Sequence, residues 1–242
     1  MRYELFYWPS IQGRGEFVRL ALEEAGADYV DVARQPASAG GGIRAMMRML
    51  NDKSAVQRPF APPFLRAGRQ VIAQTANILH FLGPRLALAP KSDAGRLWVH
   101  QLQLTLADLL VEVHDTHHPI ASSLYYEDQK PEAQRRTGNF IEERAPKYLG
   151  YFENVLAASR SRAGWVVASG FSYIDLSLFQ LVAGLHYAFP QAMKRSRRQY
   201  PRLMALHDRV AARPRIAAYL GSPRRIAFNE SGIFRHYPEL DA

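Results

Sequence analysis

The chain has 242 residues, enough to bury one large core or two smaller ones, and its apolar content of 48% is ordinary for a soluble globular protein. It contains 0 cysteines, which excludes disulfides, thiolate zinc sites and any dithiol chemistry of its own. The formal charge of +9 invites a nucleic-acid reading, but the basic residues are scattered and the densest group, Lys194-Arg195-Ser196-Arg197-Arg198, is short. That group reads as a solvated helix-terminal patch, so no nucleic-acid partner is expected.

Tyr3-Glu4-Leu5-Phe6-Tyr7 alternates as a short, half-buried strand, followed by a loop through Pro9 and Gly13. Glu16 to Ala25 places apolar residues on one helical face, and Gly26 ends that helix. Tyr29-Val30-Asp31-Val32 reads as the next strand, completing a βαβ unit. Pro36 and Gly40-Gly41-Gly42 indicate a loop, and Ile43 to Leu50 can form a helix.

The stretch Ala61 to Thr75 is the most informative. Pro62-Pro63 marks a strand start, because proline cannot donate to a sheet ladder, and a cis X-Pro bond is expected there. Gly68 separates Phe64-Leu65 from Val71-Ile72 at hairpin spacing. A helix from Ala76 to Leu82 follows, with Thr75 as its expected N-cap. Gln74-Thr75 at that helix start forms a small anion site beside the proline corner. The element order is then β-α-β-α-β-β-α over residues 1–84, with Pro84, Pro90 and Ser92-Asp93 marking a linker over 85–93.

Residues 94–242 read as almost entirely helical. Ala94 to His118 is one long amphipathic segment stopped by Pro119, and Pro131 to Ala158 is a helix pair or a helix kinked at Pro146. Ser172 and Asp175 have the spacing of a capping box, with Phe171 and Leu176 as its hydrophobic staple. Pro201 to Tyr219 gives the last main helix or helices, and Gly221 to Ala242 is an irregular tail. No apolar run is long enough to span a bilayer and Met1-Arg2-Tyr3-Glu4-Leu5 is not a signal peptide, so a cytoplasmic location and no membrane partner are expected.

Taken together, Pro63, the hairpin at Gly68, Gln74-Thr75 and the Ser172/Asp175 box resemble the cytosolic glutathione transferases across essentially the whole chain. The resemblance implies a thioredoxin-like α/β domain (1–84) followed by an all-α helical-bundle domain (94–242), in a homodimer. It implies glutathione as a substrate, an electrophilic small molecule or a peroxide as the second reactant, and no metal or redox cofactor. Phe6-Tyr7-Trp8-Pro9 with Gly13-Arg14-Gly15-Glu16 and Arg19 is similar to the tyrosine-type classes (alpha, mu, pi and sigma). Tyr7 then stabilises the glutathione thiolate and Arg14 adds positive potential, with Ser10 as the rival hydroxyl. The carry-over assigns Pro62 and Pro63 to the cysteinyl backbone, Gln74 and Thr75 to the γ-glutamyl carboxylate, and Asp108 to the γ-glutamyl amine across a dimer interface. Lys53 is the choice for the glycyl carboxylate, with Arg48 and Arg58 as alternatives, and Phe60 is either an aromatic plugging a neighbouring subunit or a core residue.

Pro62 departs from the family pattern. It stands where a backbone N–H would pair with the cysteinyl unit, and proline has none. His114, His117 and His118 with Asp115 have a spacing compatible with zinc, but no His-Glu-x-x-His pattern is present and a third ligand is unassigned. They read instead as polar lining. Trp8, His114, His118 and Phe228 form the expected wall for the second substrate. The rival to catalysis is a transferase-shaped protein that binds ligands or partner proteins without turnover.

Overall fold

The computed structural model describes residues 1–241; Ala242, the last residue of the expected helical domain, lies outside the described residues. A four-stranded sheet is built from β1 (Tyr3–Phe6), β2 (Tyr29–Asp31), β3 (Phe64–Ala67) and β4 (Gln70–Ala73), in the order β2-β1-β3-β4. β2 runs parallel to β1, while β3 and β4 pair antiparallel as a hairpin. Gly68, at φ 61°, supplies the left-handed residue of that hairpin turn.

Strand periodicity sorts the side chains into two layers. Tyr3, Leu5 and Leu65 pack with Val18 and Leu22 of α1 (Gly15–Ala25) and with Ile78 and Leu82 of α3 (Thr75–Arg85). Phe6 and Phe64 face the other way, onto Ala45 and Met46 of α2 (Ile43–Leu50) and onto Val32. The rings of Phe6 and Phe64 stack at 4.6 Å. The order is therefore β-α-β-α-β-β-α, as expected, with 3₁₀ turns at Val32–Arg34 and Ala37–Ala39 between β2 and α2.

Two local expectations change. Thr75 is the first residue of α3, and the N-cap is Gln74, which makes no side-chain capping bond. Pro84 lies inside the last turn of α3 and does not open the linker, because the helix closes past it through Leu86 N–H to Leu82 O at 2.9 Å.

The helical part comprises α4 (Asp93–Asp115), α5 (Lys130–Asn139), α6 (Ala145–Ala158), α7 (Tyr173–Ala188), α8 (Pro190–Ser196), α9 (Pro201–Ala211) and α10 (Pro214–Leu220). α4 stops at Asp115, short of the expected His118. Between α5 and α6, Phe140–Arg144 forms one π turn in which Ala145 N–H reaches back to Phe140 O. That turn absorbs Pro146, which cannot donate to the α-helical ladder, so the pair is a bulged continuous rod.

α7 is buried nearly all round and is the axis of the helical core. Its start is the capping box read from the sequence. Asp175 accepts from Ser172 N–H at 2.9 Å and from the Ser172 hydroxyl at 3.0 Å, and its other oxygen accepts from Val166 N–H at 2.9 Å. Burial of this carboxyl pushes its pKa up to about 6, against the three hydrogen bonds that favour the charged form. We expect Asp175→Ala to lower the unfolding free energy by about 2–3 kcal/mol in urea denaturation, since it strands two buried N–H groups as well as removing the cap. A loss below about 0.5 kcal/mol would show that the box is not a folding element.

Candidate functional site

One edge of the sheet gathers the polar residues singled out above. β1 ends at Phe6, β3 begins at Phe64 and β4 ends at Ala73, and the register pairs Phe6 with Phe64 and Phe64 with Ala73. The residues immediately beyond those positions, Tyr7, Pro63 and Gln74, are therefore neighbours along the same edge. The Pro62-Pro63 bond is cis, and Gln74 is a non-glycine residue at φ 69°, a conformation that costs about 1–3 kcal/mol and recurs where a ligand is clamped. Thr75 opens α3, and its hydroxyl donates to Arg14 O at 3.4 Å, tying the helix start to the loop after β1.

Tyr7 follows the alternation of its strand toward the α1 side and is 5% exposed. The loop Gly13-Arg14-Gly15 wraps it closely. A Cβ at Gly13, where φ is +43°, would lie 2.1 Å from the Tyr7 hydroxyl oxygen, and one at Gly15 would lie 2.5 Å from the ring. Both positions therefore require glycine. The Tyr7 hydroxyl accepts a hydrogen bond from Arg14 N–H at 2.9 Å. Burial pushes its pKa up, more than the Arg14 N–H and the charges of Arg14 and Arg19 pull it down, so the phenol keeps its proton and remains a donor at neutral pH.

Behind Tyr7 lies a buried charge cluster. Arg19 bonds Asp31 at 2.7 Å and Glu16 at 3.2 Å, and Glu16 also accepts from the Tyr219 hydroxyl at 2.7 Å and from Arg225. Arg225 reaches Gln180 at 2.9 Å, Gln180 donates to Gln12 at 2.8 Å, and Gln12 donates to Ile226 O. The sequence reading placed Arg19 in the tyrosine-type run, and the structure supplies its partners. It missed Gln12, Glu16, Gln180 and Arg225, since nothing in their spacing signals that residues 200 positions apart meet.

Of Trp8, His114, His118 and Phe228, expected to line one wall, only the two histidines pack on each other. The His114 and His118 rings lie 5.0 Å apart, edge to face. Burial lowers the His114 pKa and the charge of His118 lowers it further, while Asp115 opposes them. Asn229 donates to Ser10 O at 2.9 Å, bringing the C-terminal tail over the loop that carries Trp8, which is exposed. Phe228, however, is engaged by stacking on Tyr187 at 4.9 Å and by an edge contact with Phe234. Among the described residues the side chains of Lys53 and Asp108 make no hydrogen bond or ion pair: both are exposed, in the loop before β3 and on α4 respectively. Arg48 borders a separate cleft with Glu4, Phe6, Asp52 and Arg66. Among the described residues no group of three or more His, Cys, Asp or Glu side chains is arranged to hold a metal ion.

Comparison with known proteins places this architecture. The family model described as "Glutathione S-transferase, C-terminal domain" matches residues 114–223. A Plasmodium falciparum glutathione S-transferase is 22% identical over 89% of this chain and 94% of its own length. Glutathione S-transferase P 1 of Xenopus laevis is 25% identical over 92% and 93% respectively. Among solved structures, the pi-class glutathione S-transferase of Onchocerca volvulus superposes with a TM-score of 0.68 at 22% identity, covering 91% of this chain and 92% of its own. Residues 114–223 thus match the glutathione S-transferase C-terminal domain family, and the fold of the whole chain is that of the solved glutathione S-transferases.

His117 provides a test of how tightly the tail is held. Its Nε2–H donates to Ile233 O at 2.9 Å, and burial pushes its pKa down to about 3. A depressed histidine pKa means that the unfolded chain binds the proton first, so stability falls as pH drops below about 6.5. We expect unfolding free energy to decline with a slope of up to about 1.4 kcal/mol per pH unit between pH 6 and 4, and His117→Leu to flatten it. An unchanged slope in the variant would place the titration elsewhere.

Proposed function

We propose that this chain is a catalytic glutathione transferase in which the protonated Tyr7 hydroxyl donates a hydrogen bond to the glutathione sulfur and so favours its thiolate. The observation that carries this reading is the convergence of Tyr7, Pro63 and Gln74-Thr75 on one sheet edge, with the Tyr7 phenol kept protonated by burial. A free thiol is mostly protonated at neutral pH, and stabilising its charged form raises the fraction able to attack. Arg14 would add positive potential beside the sulfur. Gln74 and the free N–H groups at the start of α3 would hold the γ-glutamyl carboxylate. The bound thiolate then attacks an electrophilic carbon on the side of Trp8, His114 and His118, where the enzyme gains chiefly by positioning. Relatives named glutathione S-transferase support glutathione as the thiol substrate.

Pro62 favours a second reading. Without its N–H one ligand hydrogen bond is lost, at a cost of about 1 kcal/mol, and the chain would bind glutathione weakly or act without turnover. Calorimetry with glutathione, together with thiolate absorbance against pH, separates the two. For the transferase reading, wild type binds and the bound thiol ionises at least about one unit below its free value, a shift that Tyr7→Phe abolishes while leaving most of the affinity. Absence of binding to both glutathione and its disulfide would overturn it.

We further propose that the active form is a homodimer. Leu97, Leu104 and Val111, spaced by two helical turns, form an exposed apolar stripe on α4, and Phe60 is 95% exposed ahead of β3. These side chains suit a second copy of the chain, and the Asp108 assignment depends on one. Sedimentation velocity at micromolar concentration should give a dimer, with Leu104→Glu weakening association by about tenfold or more. A monomeric wild type would remove both the dimer and the role of Asp108.

A further inference from the structure

Of the eight histidines in the chain, five engage a ring nitrogen with a carbonyl, a carboxylate or the Met204 sulfur. A sixth, His114, lies 3.6 Å from the Asp115 carboxylate. His80 and His100 have neither a hydrogen bond nor an ion pair among the described residues. They lie against each other instead, with ring centroids 4.6 Å apart and planes tilted by 43°. His80 is on α3 of the first domain, and His100 is on α4, the first helix of the second. His100 follows Leu97 by three residues and precedes Leu104 by four, so it shares their face of α4. The pair therefore spans the seam between the two domains, where α3 packs on α4.

The coordinating chemistry of this pair is unspent. The Nδ1 atom of His100 is buried and has no hydrogen-bond partner. A buried polar atom left in that state calls for an explanation, and an ion held beside it is one. Burial lowers the His100 pKa and the charge of His80 lowers it further, so this imidazole is neutral at pH 7 and keeps a free lone pair. Both rings are half-buried, which leaves them open to an ion from solvent. Their spacing agrees with that use. An imidazole bound at about 2.1 Å has its ring centre about 3.2 Å from the metal, so two on one ion, at an angle of about 90–110°, lie about 4.5–5.2 Å apart. The 4.6 Å separation of His80 and His100 falls in that range. Rotation of either ring about χ2 decides which nitrogen it presents.

We propose that His80 and His100 form a binding site for a divalent transition-metal ion of the zinc and copper type, held across the seam between α3 and α4. Imidazole nitrogen suits such ions, whereas magnesium and calcium require oxygen ligands. The pair supplies two ligands and water completes the shell, so the site binds more weakly than a closed centre of four side chains. Neither histidine is among the residues assigned to glutathione or to the second substrate. The ion takes no part in the thiol chemistry, and the site stands or falls independently of the transferase reading. Its effect is to tie α3 to α4, and with them the first domain to the second.

Titration calorimetry of the full chain at neutral pH, without an affinity tag and in its own oligomeric state, tests the site with zinc, copper(II) and magnesium. Zinc is expected to bind at micromolar concentration, copper(II) more tightly, and magnesium not at all. His80→Gln and His100→Gln should each weaken zinc binding by about tenfold or more, while the double variant His114→Gln/His118→Gln retains it. Zinc affinity should also fall as pH drops below about 6.5, because a protonated imidazole cannot coordinate. Thermal unfolding establishes that each variant is folded, and zinc should raise the midpoint of wild type but not of His80→Gln. The two single variants are read separately, so either one that folds carries the test. No zinc heat below millimolar concentration, unchanged zinc affinity in a folded His80 or His100 variant, or loss of binding on replacing His114 and His118 instead would each overturn the proposal.

Discussion

The register of the four-stranded sheet governs this molecule. Phe6 pairs with Phe64 and Phe64 with Ala73, so the chain leaves three strands at one edge, through Tyr7, Pro63 and Gln74. A slip of one residue in either pairing would turn every side chain of the strand to the opposite layer. It would exchange Phe6, stacked on Phe64 beneath α2, with Tyr7 beneath the glycine loop. Hydrophobic burial fixes the register, and the register assembles the polar edge. Gln74 at φ 69° is tolerated because the hairpin on one side and α3 on the other hold it there.

A second constraint joins the two ends of the chain. Arg19, Glu16 and Asp31 are buried charges, and taking them from water is expensive unless each finds partners. The partners come from afar: Tyr219 and Arg225 close on Glu16, and Arg213 pairs with Glu24 on the same helix. Removing one partner of such a pair would leave a buried charge uncompensated, so each pair ties its segment to one arrangement. Here the arrangement is that of the tail, which crosses the loop of residues 8–14 and bonds Ser10 through Asn229 and Gln12 through Ile226. The Arg14 loop is thus held from below by Tyr7 and from the flank by the tail.

Pro62 is the place where local chemistry and the family pattern diverge. Its ring fixes the approach to the cis bond at Pro63 and keeps its carbonyl as an acceptor, but it supplies no donor to a bound backbone. The rest of the edge keeps a protonated Tyr7, the Gly13 turn and the start of α3 together.

The sequence by itself determined the elements and their order. Apolar alternation, helical periodicity, the Pro62-Pro63 strand start and the Ser172/Asp175 box are local signals, and each depends on residues within a few positions of one another. Its errors were local too: Thr75 for Gln74 as the cap, Pro84 as a stop, His118 as the end of α4. Each concerns an end where backbone closure competes with propensity. Only the tertiary structure decided that Arg225 completes a buried carboxylate, that Phe228 is spent on Tyr187, and that His80 and His100 meet across the domain seam. Those outcomes depend on long-range packing and on the demand that buried charges be paired, and neither leaves a periodic trace in the chain.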